Sequence, residues 1–255
     1  MLKKTFIIAT TGDRAESLFR LLDSLLPWFM RGWEAVVVAQ KYSKDAIAEI
    51  WKYPGVRVEP FNTLIGAHSA KVWALTVAKS DIWCSLDDDM EAIPGLTDFD
   101  KMAELICYNP SYGFISGNWA KTEKQARAKG AGGGLVKQKL VYTGGGLVFC
   151  DDVAEIIRGI PNEQYYFDDC LWAVCAYIHG YDNYRFRGSI LVHRICTGGG
   201  RKTWKKENKA TKVFPPKELL TVRYGKKLPL ICMDKDVTEY ADELHRKEAT
   251  KWASK

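Results

Sequence analysis

The most constraining feature of this sequence is a short apolar run that leads directly into a cluster of acids. Residues 82–86 are rich in strand-forming side chains, and Asp87, Asp88 and Asp89 follow them. A buried strand that ends in carboxylates directs them to the carboxyl edge of its sheet, where open α/β sheets bind ligands. Carboxylates at positions i and i+2 of such an end can hold one hard cation. The alternative interpretation is a solvated acidic turn.

The residues before these acids alternate between predicted strands and predicted helices. The predicted strands are 6–10, 34–39, 56–58 and 82–86, and the predicted helices are 15–29, 45–51 and 67–78. Asp13 and Ser43 are predicted to cap the first two helices. This alternation predicts an α/β fold with a mixed, mostly parallel central sheet and helices on both faces. We expect residues 1–100 to form a nucleotide-binding half.

Residues 101–200 are predicted to complete the same domain, and residues 201–255 to form a basic C-terminal extension. Predicted helices cover 99–108, 152–159 and 170–179, and predicted strands cover 113–117, 147–150 and 185–192. The last of these strands leads into His193. Residues 125–139 are basic and glycine-rich, which predicts a mobile excursion from the domain.

Charge is distributed unevenly along the chain. Residues 1–194 hold 22 basic and 23 acidic side chains, whereas residues 195–255 hold 15 and 8, so the net charge of +6 originates in the last quarter. Such asymmetry favours an anionic partner, and the alternative is a solvated, lysine-rich surface.

Apolar stretches and cysteines indicate the compartment. No apolar stretch reaches the roughly 18 residues of a membrane span, and residues 1–10 are interpreted as a strand, not a signal peptide. The seven cysteines include no C-x-x-C pair, and several lie in apolar runs, among them Cys84, Cys150 and Cys175. We expect free thiols, no zinc site and a cytoplasmic protein.

In chain order, six segments together resemble the GT-A glycosyltransferases of the family 2 type. Residues 9–14 resemble the nucleotide-binding first loop, followed by its helix, and residues 66–78 resemble the helix that precedes the acidic strand. The Asp87-Asp88-Asp89 run resembles the D-x-D metal motif. The other matching segments are the glycine run Gly144-Gly145-Gly146, the catalytic acidic segment at residues 166–172, and the late histidine, His193.

This resemblance implies a GT-A fold and transfer of a sugar from a nucleotide-sugar, such as a UDP-sugar, to a hydroxyl group. Residues 1–200 would form the GT-A domain, with residues 1–100 as its nucleotide-sugar-binding (donor) half and residues 101–200 as its acceptor half. Asp87, Asp89 and His193 would bind Mn²⁺ or Mg²⁺. The implied donor-binding residues are Thr10, Thr11, Asp13, Arg14, Lys71, Asp87, Asp88, Gly145, Arg201 and Lys202. The last two follow three glycines and could close over the diphosphate as a lid.

An acceptor hydroxyl needs a base, and the resemblance places that base at Asp169, beside Asp168. The family has Glu-Asp where this chain has Asp-Asp, so either carboxylate could act. A base opposite the leaving group implies inversion of the anomeric configuration. The alternative is that both acids favour the start of a helix through its dipole.

The basic C-terminal region carries interleaved aromatic residues, which favours a nucleic-acid acceptor. These aromatic residues are Trp204, Phe214, Tyr224 and Trp252. We therefore expect DNA with a hydroxylated base as the acceptor, as in virus-encoded DNA-modifying glycosyltransferases. A saccharide or protein acceptor is the alternative. A sugar nucleotidyltransferase and a non-catalytic nucleic-acid-binding module are alternatives of another class, and the oligomeric state is open.

Overall fold

A computed structural model describes residues 2–138, 145–160 and 168–194. The strands are β1 (Lys4–Thr11), β2 (Trp33–Gln40), β3 (Val56–Phe61), β4 (Ile82–Asp87), β5 (Met90–Ala92), β6 (Tyr112–Ala120), β7 (Leu135–Gln138), β8 (Leu147–Cys150) and β9 (Asp182–His193). The helices are α1 (Ala15–Phe29), α2 (Lys44–Ile50), α3 (Ala67–Val77), α4 (Phe99–Tyr108), α5 (Glu123–Lys129), α6 (Asp151–Arg158) and α7 (Asp168–Ile178). Several predicted residues lie outside the described ones: Gly144, residues 166–167, Arg201, Lys202 and the extension 201–255.

The described strands form one continuous sheet in the order β3-β2-β1-β4-β8-β6-β9-β5, and β7 pairs with the outer part of β9. Strands β1 to β4 are parallel, as are β6 and β9. Strand β8 lies antiparallel between β4 and β6, and β5 and β7 run antiparallel to β9. Six of the nine strands therefore share one direction, which confirms the predicted mixed, mostly parallel sheet.

Apolar side chains cover both faces of this sheet. On one face Phe6 stacks on Trp33 with ring centroids 4.4 Å apart, and Phe99 of α4 and the leucines of α1 pack against them. On the other face Trp83 and Trp172 are buried among residues of α3, α6 and α7. Helices on both faces are thereby confirmed. Among the described residues, no helix is long and apolar enough to cross a membrane.

Two local predictions are wrong. Asp13 does not cap α1, because it lies inside a 3₁₀ turn (Gly12–Arg14) that precedes the helix. Its carboxylate instead accepts a hydrogen bond from the hydroxyl of Thr11. Residues 125–138 are not a structureless excursion, since they contain most of α5 and all of β7, and β7 extends the sheet. The predicted Ser43 cap is confirmed, because its hydroxyl accepts from the amide of Ala46.

Candidate functional site

The acids at the end of β4 meet a histidine from the end of β9. Strand β5 follows Asp89 directly and pairs antiparallel with β9, with Met90 opposite His193. This register brings Nε2 of His193 to 3.1 Å from Oδ1 of Asp89. One potential ligand atom from each of Asp87, Asp89 and His193 lies within 4.8 Å of the other two. The structure therefore gathers the three residues that the resemblance implies as metal ligands.

These three side chains suit a divalent cation. Ligand atoms bonded at about 2.1 Å to one cation lie at most about 4.2 Å apart, so adjustments of a few tenths of an ångström would complete the site. Two carboxylate oxygens and one imidazole nitrogen form a mixed ligand set, which Mn²⁺ accepts more readily than Mg²⁺. All three side chains keep some access to solvent, with exposed fractions of 37%, 10% and 21% for Asp87, Asp89 and His193.

Asp88, between the two candidate ligands, has a different environment. Its side chain is 2% exposed, accepts a hydrogen bond of 2.7 Å from Oγ1 of Thr10 and lies 2.8 Å from Nη2 of Arg14. Burial raises the pKa of Asp88 to about 7, although Arg14 and Thr10 act in the opposite direction. The described contacts of Asp88 therefore fasten the acidic turn to the loop after β1.

Arg14 connects Asp88 to the candidate metal site. The same Nη2 atom that contacts Asp88 lies 2.8 Å from Oδ2 of Asp89. The Arg14 side chain is 30% exposed, and its guanidinium places positive charge at the edge of the acidic cluster. A fixed cation next to a metal-binding carboxylate is a suitable environment for an anionic ligand.

Lys71 connects the candidate metal site to the acids of α7. It lies on α3 with its side chain 2% exposed, and Nζ is 3.2 Å from Oδ1 of Asp87 and 3.0 Å from Oδ2 of Asp168. Nζ also lies 5.6 Å from the centroid of the Trp172 ring. Burial alone would lower the pKa of Lys71, but the charges of Asp168 and Asp87 raise it above its ordinary value. The lysine is therefore held charged where α3, β4 and α7 meet.

The two adjacent acids of α7 differ in environment. Asp168 is buried and paired with Lys71, whereas Asp169 is half-buried and therefore more accessible. Their identity is readable from the sequence, but the difference between them is not, because it depends on a lysine 97 residues earlier in the chain.

Thr10 and Thr11 end β1, and Asp13 and Arg14 lie in the turn that follows, which is held against the end of β2. A Cβ atom on Gly12 would lie 2.2 Å from the carbonyl oxygen of Lys41, so only glycine permits this approach. Thr10 also shares a hydrogen bond of 2.8 Å with the hydroxyl of Tyr42. The loop is therefore packed closely enough to position its polar side chains.

Three residues at this edge were not predicted. Gln40, at the end of β2, accepts a 2.7 Å hydrogen bond from the amide of Ile65 and so fixes the segment before α3. Tyr42 follows it, and the Trp119 ring lies 5.9 Å from that of His193. The signal that could have found Gln40 and Tyr42 is the same as for Asp87: polar residues that directly follow a buried parallel strand.

Gly145 has a packing explanation. A Cβ atom at this position would lie 1.9 Å from the carbonyl oxygen of Gly117 on β6. The structure thus shows why a side chain is excluded at Gly145, and its role in donor binding remains a prediction.

Comparison with known proteins gives a match in structure but not in sequence. No protein-family model matches the chain, and no curated protein matches it. Several solved structures, however, share the arrangement of the sheet and its helices. This chain has the GT-A fold.

Three of these structures are informative. The mannosyltransferase PcManGT from Pyrobaculum calidifontis, in complex with GDP-Man and Mn²⁺, has a TM-score of 0.58 at 18% identity, over 80% of this chain and 60% of that one. S. aureus TarS 1–349 in complex with UDP gives 0.56 at 14%, over 74% and 59%. GalNAc-T7 with UDP, GalNAc and Mn²⁺ gives 0.59 at 11%, over 76% and 44%. The chain thus spans about half the length of the structures it matches, and at these identities the likeness establishes the fold alone.

Proposed function

We propose that this chain is a metal-dependent glycosyltransferase that moves a sugar from a nucleotide-sugar to a hydroxyl group. The observation that carries the proposal is the convergence of Asp87, Asp89 and His193 in a GT-A fold. Lys71 joins Asp168, at the start of α7, to this cluster. The similar structures were solved with GDP-Man or UDP, and two of them with Mn²⁺. We propose a UDP-sugar as the donor.

The donor would lie along the carboxyl edge of β1 and β4. Thr10, Thr11, Asp13 and Arg14 would contact the nucleotide, and Arg14 would place a positive charge near its diphosphate. A cation held by Asp87, Asp89 and His193 would neutralise the negative charge that develops on the departing nucleoside diphosphate. Arg201 and Lys202, outside the described residues, remain predicted donor contacts and a predicted lid.

Asp169 is the proposed base. Its carboxylate would accept the proton of the acceptor hydroxyl as the oxygen attacks the anomeric carbon. Asp168 is less suited to this role, because Lys71 occupies one of its oxygens. Attack from the side opposite the leaving diphosphate would invert the anomeric configuration.

We propose DNA with a hydroxylated base as the acceptor. The support is the net positive charge of residues 195–255, which contain 15 basic and 8 acidic side chains. A base within a duplex would have to leave the stack to present its hydroxyl group at Asp169. A saccharide or protein acceptor is the alternative.

The test incubates the full chain with Mn²⁺, a panel of UDP-sugars and GDP-mannose, and either hydroxymethylated DNA or a panel of oligosaccharides. Nucleoside diphosphate release reports turnover, and mass spectrometry of digested nucleosides or of oligosaccharides identifies the product. Asp89→Ala is the inactive control. Release that requires Mn²⁺ and Asp89, with a sugar added to DNA, would support the whole proposal. A glycosylated oligosaccharide with unmodified DNA would overturn the acceptor only, and no release with any donor would overturn the activity.

A further inference from the structure

One segment of the acceptor half combines high exposure with a concentration of positive charge. Residues 121–138 contain five basic side chains and one acid, although residues 1–194 as a whole carry slightly more acids than bases. In α5 only Ala126 is buried, and every other residue of this helix is exposed. A short helix that is polar almost all round contributes little to the core, so its composition is not explained by folding.

This segment lies next to the candidate metal site. Strand β6 pairs with β9 so that Ala120 is opposite Val192, the residue before His193, and α5 begins three residues after Ala120. Ala126 packs in a small cluster with Ala120 and Val192. Nζ of Lys129 donates a 2.9 Å hydrogen bond to the carbonyl of Trp119, whose ring contacts His193. The positive charge of α5 is thus anchored beside the end of β9 that carries a candidate ligand.

Three basic side chains of this segment, and a fourth on β9, have no carboxylate partner in the described part of the chain. Arg127 pairs with Glu123, and Lys137 pairs with Asp182. Lys121, Lys124 and Lys129 are exposed and make no ion pair among the described residues, and the same is true of Arg187 on β9, which packs against Gly133. We refer to Lys121, Lys124, Lys129 and Arg187 as the basic face.

We infer that the basic face binds the phosphate backbone of a nucleic-acid acceptor while one of its bases reaches the site at Asp169; this inference rests on the proposed function. Exposed lysines and arginines without carboxylate partners attract closely spaced phosphates, and binding releases condensed counterions. The half-exposed Trp119 adjoins the face at His193, where an unstacked base could contact it. A neutral saccharide would gain nothing from four cations that have no carboxylate partner among the described residues, so charge complementarity favours the nucleic acid.

The test compares two double variants of the full chain with matched changes in charge. Lys124→Glu with Arg187→Glu reverses two members of the basic face. Lys52→Glu with Lys79→Glu reverses two exposed lysines that precede the amino ends of the parallel strands β3 and β4, whereas the candidate site lies at their carboxyl ends. A fluorescent DNA duplex is titrated with each protein over a series of salt concentrations, and circular dichroism confirms folding. Lys124→Gln with Arg187→Gln provides a milder version.

The basic-face variant should bind the duplex at least about tenfold more weakly than wild type at low salt. The slope of log K against log salt should become shallower by about 2, since each lost phosphate contact changes it by about 0.9. The control variant should differ much less from wild type in both respects. Equal affinity and slope for the two double variants would overturn the inference, as would tighter, face-dependent binding of an anionic polysaccharide than of DNA.

Release of nucleoside diphosphate in the absence of acceptor separates this inference from the proposed activity. The basic-face variant should retain the wild-type rate of Mn²⁺-dependent donor hydrolysis, because none of the four residues belongs to the proposed donor site. If wild type binds DNA through the basic face yet hydrolyses no donor, the activity fails and the face stands. If wild type hydrolyses the donor normally and the basic-face variant binds DNA as tightly as wild type does, the proposed activity stands and the inference about the basic face fails.

Discussion

Nζ of Lys71 lies 3.0 Å from Oδ2 of Asp168, and this ion pair distinguishes two neighbouring carboxylates that the sequence leaves equivalent. Asp168 is paired with the buried ammonium group of Lys71, and Asp169 is the more accessible acid. The contact suggests separate roles, structural support for Asp168 and proton transfer for Asp169.

The first prediction concerns these two acids. Asp169→Asn should lower the rate of sugar transfer by about 10² to 10⁴-fold, the usual contribution of a positioned base, with little change in thermal stability. Asp168→Asn should mainly lower stability, by up to about 3 to 5 kcal/mol, because a buried lysine loses a charged partner. Transfer rates and urea denaturation curves measure both effects. A stable but inactive Asp168→Asn beside an active Asp169→Asn would reverse the assignment.

The second prediction concerns the cation. Asp89→Ala should abolish Mn²⁺ binding measured by calorimetry, and EDTA should abolish turnover of the wild-type chain. His193→Ala should weaken Mn²⁺ more than Mg²⁺, because it removes the nitrogen ligand and leaves only oxygen ligands. Asp182→Ala, which removes an acid of β9 far from the site, serves as the control. Undiminished turnover in EDTA would exclude this metal assignment.

The third prediction concerns the pH dependence of stability that comes from Asp88, the buried acid between the candidate ligands Asp87 and Asp89. It is measured in EDTA so that no bound cation contributes. Burial raises the pKa of Asp88 from its ordinary value of 3.8 to about 7 in the native chain, so between about pH 4 and 7 the native state binds a proton that the unfolded state releases. Its contribution to the free energy of unfolding should therefore fall as pH rises through this window, by at most about 1.4 kcal/mol per pH unit. Asp88→Asn should lack this component. Parallel pH profiles of stability for the two proteins would contradict it.

The fourth prediction concerns packing between β6 and β8. Gly145→Ala should destabilise the chain strongly, because its Cβ would lie 1.9 Å from the backbone oxygen of Gly117, and neither backbone can move without breaking the pairing of the strands. Gly132→Ala is the matched control, since a Cβ there would meet nothing within 4 Å, and it should change stability by less than about 0.5 kcal/mol. Midpoints of urea denaturation would compare the two.

Local patterns in the sequence were sufficient for much of the fold. Helix α1 begins and ends at the predicted residues, because a regular stripe of leucines and a preceding turn define it. The position of the acids at the end of β4 was also predictable. Open parallel sheets bind ligands at their carboxyl edge, and this edge can be located from a strand and the residues that end it. His193 was found by resemblance, and the structure gives the reason for its position: β5 pairs with the end of β9.

Long-range pairing was not predictable in this way. Lys71 and Asp168 belong to helices whose separate patterns say nothing about their contact, and Arg14 reaches two acids more than 70 residues away. The parallel pairing of β6 with β9 spans three helices and two other strands. The strand within residues 125–138 was not predictable either, because the four residues of β7 form too short a pattern to indicate a strand, and β7 is held by its pairing with β9.

Strand β8 is hydrogen-bonded to β4 on one side and to β6 on the other, so the proposed donor half and the proposed acceptor half share one sheet. A hinge motion that opens and closes the two halves would break the hydrogen bonds of β8 to β4 or to β6. If sugar transfer takes place at this sheet, segments at its rim would admit the substrates and release the products, and the distance between the proposed donor and acceptor subsites would stay constant. Ligands diffused into crystals of the free protein should consequently leave the lattice intact, and any inhibitor that spans both subsites must match that single length.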